Sequence, residues 1–274
     1  MGKNLQVLLH QKGFAFTSLN SVDCAELLKG FRSRQGTKIE FDTIINLTSK
    51  YNNRSTLLSE EEFNKMVNLP LEFISKFSNQ NTLVVNTSSF VQRNLMNFQD
   101  QEPSYVLAKS MVLTQLTDMG VLGNIKFVDF NIFTLFGPWD RANRFIPTLF
   151  QSLKTHQILN CTLGEQLVGY VPVAKLCDSI WKVMMKEREF SGANHFSLWP
   201  KHIMTLRKLI EDFLNSIAAK GHVQWGSVPY TGQELMKLPT NSLPYFQSPY
   251  NSKETPKDLK KLWEMYLLGR ITFI

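Results

Sequence analysis

Apolar positions along this chain switch repeatedly between helical and strand-like spacing. Leu5, Leu8 and Leu9 share one face of a short helix, and Gly13 stands where a helix commonly ends on a left-handed residue. Phe14 to Leu19 reads as a strand, and Ala25, Leu27, Leu28 and Phe31 mark a second helix. Phe41 to Leu47 is a short β-rich apolar run, the pattern of a strand buried on both faces. Glu60 to Phe77 is helical in pattern, with Pro70 interrupting it. Thr82 to Val85 reads as a strand, and Pro103 to Met119 as a helix that Pro103 helps to start. Ile125 to Ile132 is a further strand, and Phe145 to Leu153 a helix after the turn at Gly137 and Pro138.

Strands alternating with helices predict an α/β fold, a Rossmann-like doubly wound parallel sheet with helices on both faces. Past about residue 155 the alternation weakens, and Pro172, Pro200, Pro229, Pro239, Pro244, Pro249 and Pro256 cluster there. The expected division is a dinucleotide-binding domain over 1–155 and a smaller, loop-rich substrate lobe over 156–274, some of whose segments return to the main sheet. A fold of this kind opens with a strand, a glycine turn and a helix. Here Met1-Gly2-Lys3-Asn4-Leu5 reads as the end of such a turn, with Gly2 as its last glycine. The first strand and the earlier glycines are therefore expected to be missing, a piece of roughly ten to fifteen residues. The plainer alternative makes Gly2 merely the residue after the initiator methionine.

Composition narrows the functional classes. The 274 residues are 43% hydrophobic and 19% charged, which reads as globular. Thirty Lys and Arg against 23 Asp and Glu give a net charge of +7. The basic residues are scattered, and the densest run, Lys257 to Lys261, is broken by Asp258 and Leu259, so the charge speaks for solubility rather than nucleic acid. The three cysteines, Cys24, Cys161 and Cys177, form no CxxC pair and read as buried thiols, with no metal site expected. No apolar run approaches the roughly 20 residues of a membrane span, and Met1 to Gln6 lacks a signal-peptide pattern. A cytoplasmic protein without membrane insertion is expected.

Tyr105 and Lys109 stand at i and i+4, on one helix face that Val112 and Leu116 continue inward. An ammonium beside a phenol favours the phenolate, and such a Tyr can pass a proton to or from a sugar hydroxyl or carbonyl. A Tyr at an interface with a snorkelling Lys is the plainer alternative. Upstream, Leu83 to Ser89 is a strand ending in Thr87, Ser88 and Ser89, and strand C-terminal ends face the ligand crevice in a parallel sheet. A hydroxyl there can bond the oxygen that Tyr105 protonates; an ordinary Ser/Thr turn is the alternative.

In these residues the chain resembles the extended short-chain dehydrogenase/reductase family, the NAD-dependent epimerase/dehydratase group acting on nucleotide sugars. The resemblance runs from about Gly2 to Met184, through Phe41 to Leu47, Asn86 to Ser89, Tyr105 to Lys109, Leu135 to Pro138, Arg144 to Pro147 and Thr162 to Gln166. Asn86 to Phe90, Asn143 to Pro147 and Cys161 to Gln166 are similar to the CDP-abequose and CDP-paratose synthase group of nucleotide-sugar reductases.

The resemblance implies Tyr105 as general acid/base, Lys109 as its activator and cofactor-ribose ligand, and Thr87 as the hydroxyl positioning the substrate oxygen. It implies Gly2, Leu47, Thr48, Ser49 and Phe136 at a cofactor, NADP(H) or NAD(H), and Ser88, Ser89 and Arg144 at the nucleotide sugar, in a homodimer. Arg144 as a solvated surface residue is the alternative to a diphosphate contact. The sequence departs from the family pattern at several places. The first glycines are missing, Asn46 replaces a His, and Leu47-Thr48-Ser49 replaces Leu-Ala-Ala. Val168 stands near where an Arg pairs with the substrate diphosphate, and Ala174 and Lys175 stand where the family has aspartates. Leu19-Asn20-Ser21 does not decide between NAD and NADP, and Arg32 and Arg34 are remote candidates for a 2′-phosphate. These departures keep a second class open, a catalytically impaired member of the fold acting as a binding or subunit protein.

Overall fold

The computed structural model describes residues 1–33, 39–49, 58–93, 104–231, 234, 236 and 242–274. Helices α1 (Gly2–Gln11) and α2 (Ser21–Ser33) precede strand β1 (Thr43–Asn46). Helices α3 (Glu60–Phe63) and α4 (Leu69–Phe77) lead to β2 (Leu83–Ser89), and α5 (Ser104–Val121) leads to β3 (Lys126–Ile132). Next come β4 (Thr134–Phe136), α6 (Phe145–Lys154), β5 (Leu159–Cys161), β6 (Leu167–Val168), β7 (Tyr170–Pro172) and α7 (Val173–Met185). The last are β8 (Ala193–Leu198), β9 (Met204–Thr205), α8 (Leu206–Ser216), β10 (Val223–Trp225) and α9 (Thr255–Leu267).

The main sheet is parallel, in the order β1-β2-β3-β8. Both its faces are covered, as a parallel sheet requires. On one face, Leu5 and Leu9 of α1 and Leu176 and Ile180 of α7 pack on Leu83, Val85, Val128 and Phe130. On the other, Ala108, Val112 and Leu116 of α5 join Met66, Val67 and Ile74 over Val84 and Phe127. The fold is therefore α/β and Rossmann-like, as the alternation of elements predicts. A separate core gathers α6, α8 and α9 around Phe150, Phe213 and Leu259. The three cysteines are unbridged, and no group of three or more metal-ligating side chains occurs among the described residues.

Three local expectations are corrected. Phe14 to Leu19 forms no strand, and Phe14 and Phe16 are 38% and 42% exposed. A strand needs a neighbour for its backbone groups, and in a doubly wound order of 3-2-1-4-5-6 the second strand pairs with the first. Among the described residues no strand stands in that first place. For the same reason β1 is an edge strand in which only Asn46 is buried, rather than a strand buried on both faces. Pro70 does not break the helix; the backbone widens into a π-turn over Asn64–Asn68 just before it, and Pro70 sits in the first turn of α4. Pro103 lies outside the described residues, as do Arg34 and the side chain of Arg32.

Candidate active site

Helix α5 lies along the sheet face with Val112 and Leu116 2% and 0% exposed, and this packing fixes the residues one and two turns earlier. Lys109, on the same stripe, is 6% exposed and donates from Nζ to the carbonyl oxygens of Thr48, at 2.7 Å, and Thr87, at 3.0 Å. Thr48 follows β1 and Thr87 lies in β2, so the ammonium stitches together the C-terminal ends of two parallel neighbours. Tyr105, one turn earlier, is half-buried, and its hydroxyl lies 3.4 Å from that of the exposed Ser49.

Beneath Lys109 the sheet carries polar rungs instead of apolar ones. Asn46, Asn86, Asp129 and His195 stand in register across β1, β2, β3 and β8, and Ser88, Asn131 and Ser197 form the next row. Asn46 Nδ2 donates to Asn86 Oδ1 at 2.9 Å, and Asn86 Nδ2 donates to Asp129 Oδ1 at 2.7 Å. Ser88 Oγ donates to the other Asp129 oxygen and accepts from Asn131 Nδ2, and the Trp199 indole donates to Asn131 at 2.9 Å. Burial pushes the Asp129 carboxyl up to about 6, against the hydrogen bonds from Ser88 and Asn86 and the charge of Lys109. Burial likewise holds Lys109 down to about 8, with the charge of Asp129 opposing it.

The expected residues converge unevenly. Leu47, Thr48 and Ser49 line the end of β1 beside Lys109 and Tyr105. Thr87 is 2% exposed and meets Lys109 through its carbonyl. Strand alternation gives its side chain the face of Leu83 and Val85. Ser88, expected at the sugar, is 1% exposed with its hydroxyl engaged inside the sheet. The half-buried Ser89 is held by its backbone to Gln92. Gly2 opens α1, which reaches the Gly-Pro turn because Asn4 Nδ2 donates to the Pro138 carbonyl at 3.0 Å. Gly137 is required there, since a Cβ would come within 2.4 Å of Val173 Cγ1. Phe136, expected at the cofactor, is 3% exposed in the second core, edge-on to Tyr170. Arg144 caps the start of α6, exposed and paired with Asp140 at 3.1 Å. Val168 lies in β6 against Met204 and packs on the second core, so it offers no donor to a diphosphate.

Sequence reasoning missed Asn4, Asp129, Asn131 and Trp199. For Asp129 a signal existed: a lone carboxylate between Val128 and Phe130 in a buried strand is unstable there without partners.

The residues fit the ribose and nicotinamide portion of a dinucleotide. Two of the three Lys109 donors are spent on carbonyls, which aims the third away from them, and the hydroxyls of Ser49 and Tyr105 meet where the sheet opens to solvent.

Comparison with known proteins shows the family and the fold. CDP-abequose synthase of Salmonella typhimurium is 21% identical over 202 residues, 70% of this chain and 65% of the length of that enzyme. Among solved structures, DesIV, the dTDP-glucose 4,6-dehydratase of Streptomyces venezuelae with NAD bound, has a TM-score of 0.67 at 15% identity, covering 94% of this chain and 81% of that one. The UDP-N-acetylglucosamine 4-epimerase of Methanobrevibacter ruminantium has a TM-score of 0.66 at 15% identity, covering 83% and 77%. The NAD dependent epimerase/dehydratase family matches residues 33–198, more than half of the chain and the stretch that holds Thr48, Thr87, Tyr105 and Lys109. The chain therefore belongs to the NAD-dependent epimerase/dehydratase family.

Proposed function

We propose that this chain is an NAD(P)-dependent nucleotide-sugar oxidoreductase. Its reaction is 4-keto reduction, or the related epimerisation or dehydration, of a CDP- or dTDP-linked deoxyhexose for bacterial surface polysaccharide. The observation that carries the reading is the Lys109 ammonium held by Thr48 and Thr87 one helical turn from Tyr105, whose hydroxyl meets Ser49 at the open end of the sheet. The similarity to CDP-abequose synthase supports the sugar class.

A dinucleotide held at its ribose by Lys109 would bring a nicotinamide able to supply or accept the hydride at the sugar C4. Tyr105 gives its proton to the C4 oxygen as the carbonyl becomes a hydroxyl, and takes it back in the reverse direction. Lys109 favours the phenolate that this leaves. Ser49 orients the Tyr105 hydroxyl, and Thr87 positions the substrate oxygen. The second core, around α6, α8 and α9, is the substrate lobe in this reading. Leu107 and Met111, 44% and 38% exposed on the outer face of α5, suit the pairing of two copies in a cytoplasmic homodimer.

Val168 favours a second reading. A diphosphate that lacks its Arg binds less tightly, which suits a catalytically impaired member of the fold acting as a binding or subunit protein. Assays of Tyr105→Phe with NADPH and CDP- and dTDP-4-keto-deoxyhexoses separate the two. Catalysis by Tyr105 predicts a loss of at least about a hundredfold in kcat with little change in cofactor KM. Full turnover by Tyr105→Phe contradicts it.

A further inference from the structure

Asp129 is a buried carboxylate that the proposed reaction does not use. It is 1% exposed, and a buried carboxylate is a costly residue to keep in a parallel strand. Its partners explain it. Asn86 and Ser88, the neighbours of Thr87 on either side, both donate to Asp129. Through Asn86 the contact passes to Asn46, whose Oδ1 accepts from the Thr48 amide at 3.2 Å and the Thr48 hydroxyl at 2.7 Å. Thr48 and Thr87 supply the two carbonyl oxygens that grip Lys109. Every donor in the network points toward Asp129, from Asn46 through Asn86 on one arm and from Trp199 through Asn131 and Ser88 on the other. Such aligned chains strengthen one another and terminate naturally on an anion.

We propose, resting on the reading of Lys109 as the ribose-binding, Tyr-activating residue, that Asp129 is its positioning residue. It fixes both carbonyls that hold the ammonium and supplies the buried counter-charge. It acts through Asn86, Ser88 and Asn46 and touches neither substrate nor cofactor. The charged and titratable groups around it are Lys109 from α5 and His195, opposite it on β8, whose ring also meets Thr117 of α5 at 3.5 Å and Phe127 edge-on. Its neighbours on β2, Asn86 and Ser88, are uncharged.

The test is NMR titration of the cofactor-free chain carrying labelled lysine, with the Lys109 signal assigned by its loss in Lys109→Arg. Asp129→Asn keeps the shape and removes the charge. The Lys109 midpoint, near 8 in the parent, is expected to fall by about one pH unit or more. NADPH affinity at pH 7 is expected to fall about tenfold. Trp199→Phe cuts only the other arm, so it lowers thermal stability and leaves Lys109 in place. Should Asp129→Asn not fold, Asn46→Ala cuts the Thr48 arm alone and must shift the Lys109 signal in the same direction by less. An unmoved Lys109 in whichever of these two variants folds overturns the proposal. Absence of NADPH binding in the parent chain would overturn the cofactor reading instead, and the Lys109 titration would still decide the role of Asp129.

Discussion

The Ser49 hydroxyl stands 3.4 Å from the Tyr105 hydroxyl, and Ser49 follows directly on Thr48, whose carbonyl holds Lys109. One short segment at the end of β1 thus reaches both members of the Tyr-Lys pair. A neutral hydrogen bond at this distance is a weak one. Ser49→Ala is expected to lower kcat/KM by about three- to tenfold, well short of the effect of Tyr105→Phe. Steady-state kinetics of both variants check this. Equal losses would mean that Ser49 takes part in proton transfer rather than orienting Tyr105.

Lys109→Met keeps the buried stem and removes the charge. Asp129 then loses the cation that opposes its desolvation, so its carboxyl is expected to titrate above the value of about 6 in the parent. Carbon-13 NMR of the Asp129 carboxyl reads this directly. A titration unchanged from the parent would show that the two groups do not feel each other.

The pair also sets a pH dependence of stability, with signs opposite to those of surface ion pairs. The Asp129 carboxyl is raised on folding, so the folded chain holds that proton longer than the unfolded one. Stability is then lost as pH rises from about 4 to about 6. Lys109 is lowered, so stability is regained as pH rises from about 8 to about 10.5. Between 6 and 8 both groups are charged and their combined cost is greatest. The stability of the parent relative to Asp129→Asn should therefore fall by about 2 kcal/mol between pH 4 and pH 6. Urea midpoints of both proteins across that range check the sign and the size.

Gly137→Ala puts a methyl 2.4 Å from Val173 Cγ1, at the junction of the Gly-Pro turn and the start of α7. Overpacking of this kind costs about 1–3 kcal/mol. In a Val173→Ala background the clash is gone, so the same substitution should cost less. Thermal melts of the four proteins give the coupling, and an additive result would place the strain elsewhere.

How much of this was legible in the sequence follows from where each signal is written. The Tyr105-Lys109 stripe was readable because helical spacing alone puts Val112 and Leu116 on the same buried face. The sheet was readable because β2 opens on the apolar run Leu83-Val84-Val85 and β3 carries Phe127, Val128, Phe130 and Ile132, a density of apolar residues that marks buried parallel strands. Phe14 to Leu19 has the same local pattern and is no strand, because strand formation depends on a neighbour that lies elsewhere in the chain. The half-burial of β1 is a property of its place at the sheet edge, which no local window contains. Ser88 and Asp129 were misread or missed for a related reason. Their roles arise from register across β1, β2 and β3, which joins residues some forty positions apart. Phe136 sits beside the Gly-Pro turn in sequence, while its side chain belongs to the core of α6, α8 and α9.

The central claim is that Lys109, gripped by Thr48 and Thr87, makes this end of the sheet a nicotinamide-dinucleotide site. Fluorescence titration of the parent chain and Lys109→Met with NADPH and NADH tests it most directly. Saturable binding in the micromolar range by the parent, weakened at least about tenfold in Lys109→Met, is the expected result. A folded parent that binds neither nucleotide, or a Lys109→Met variant that binds as tightly as the parent, would contradict it.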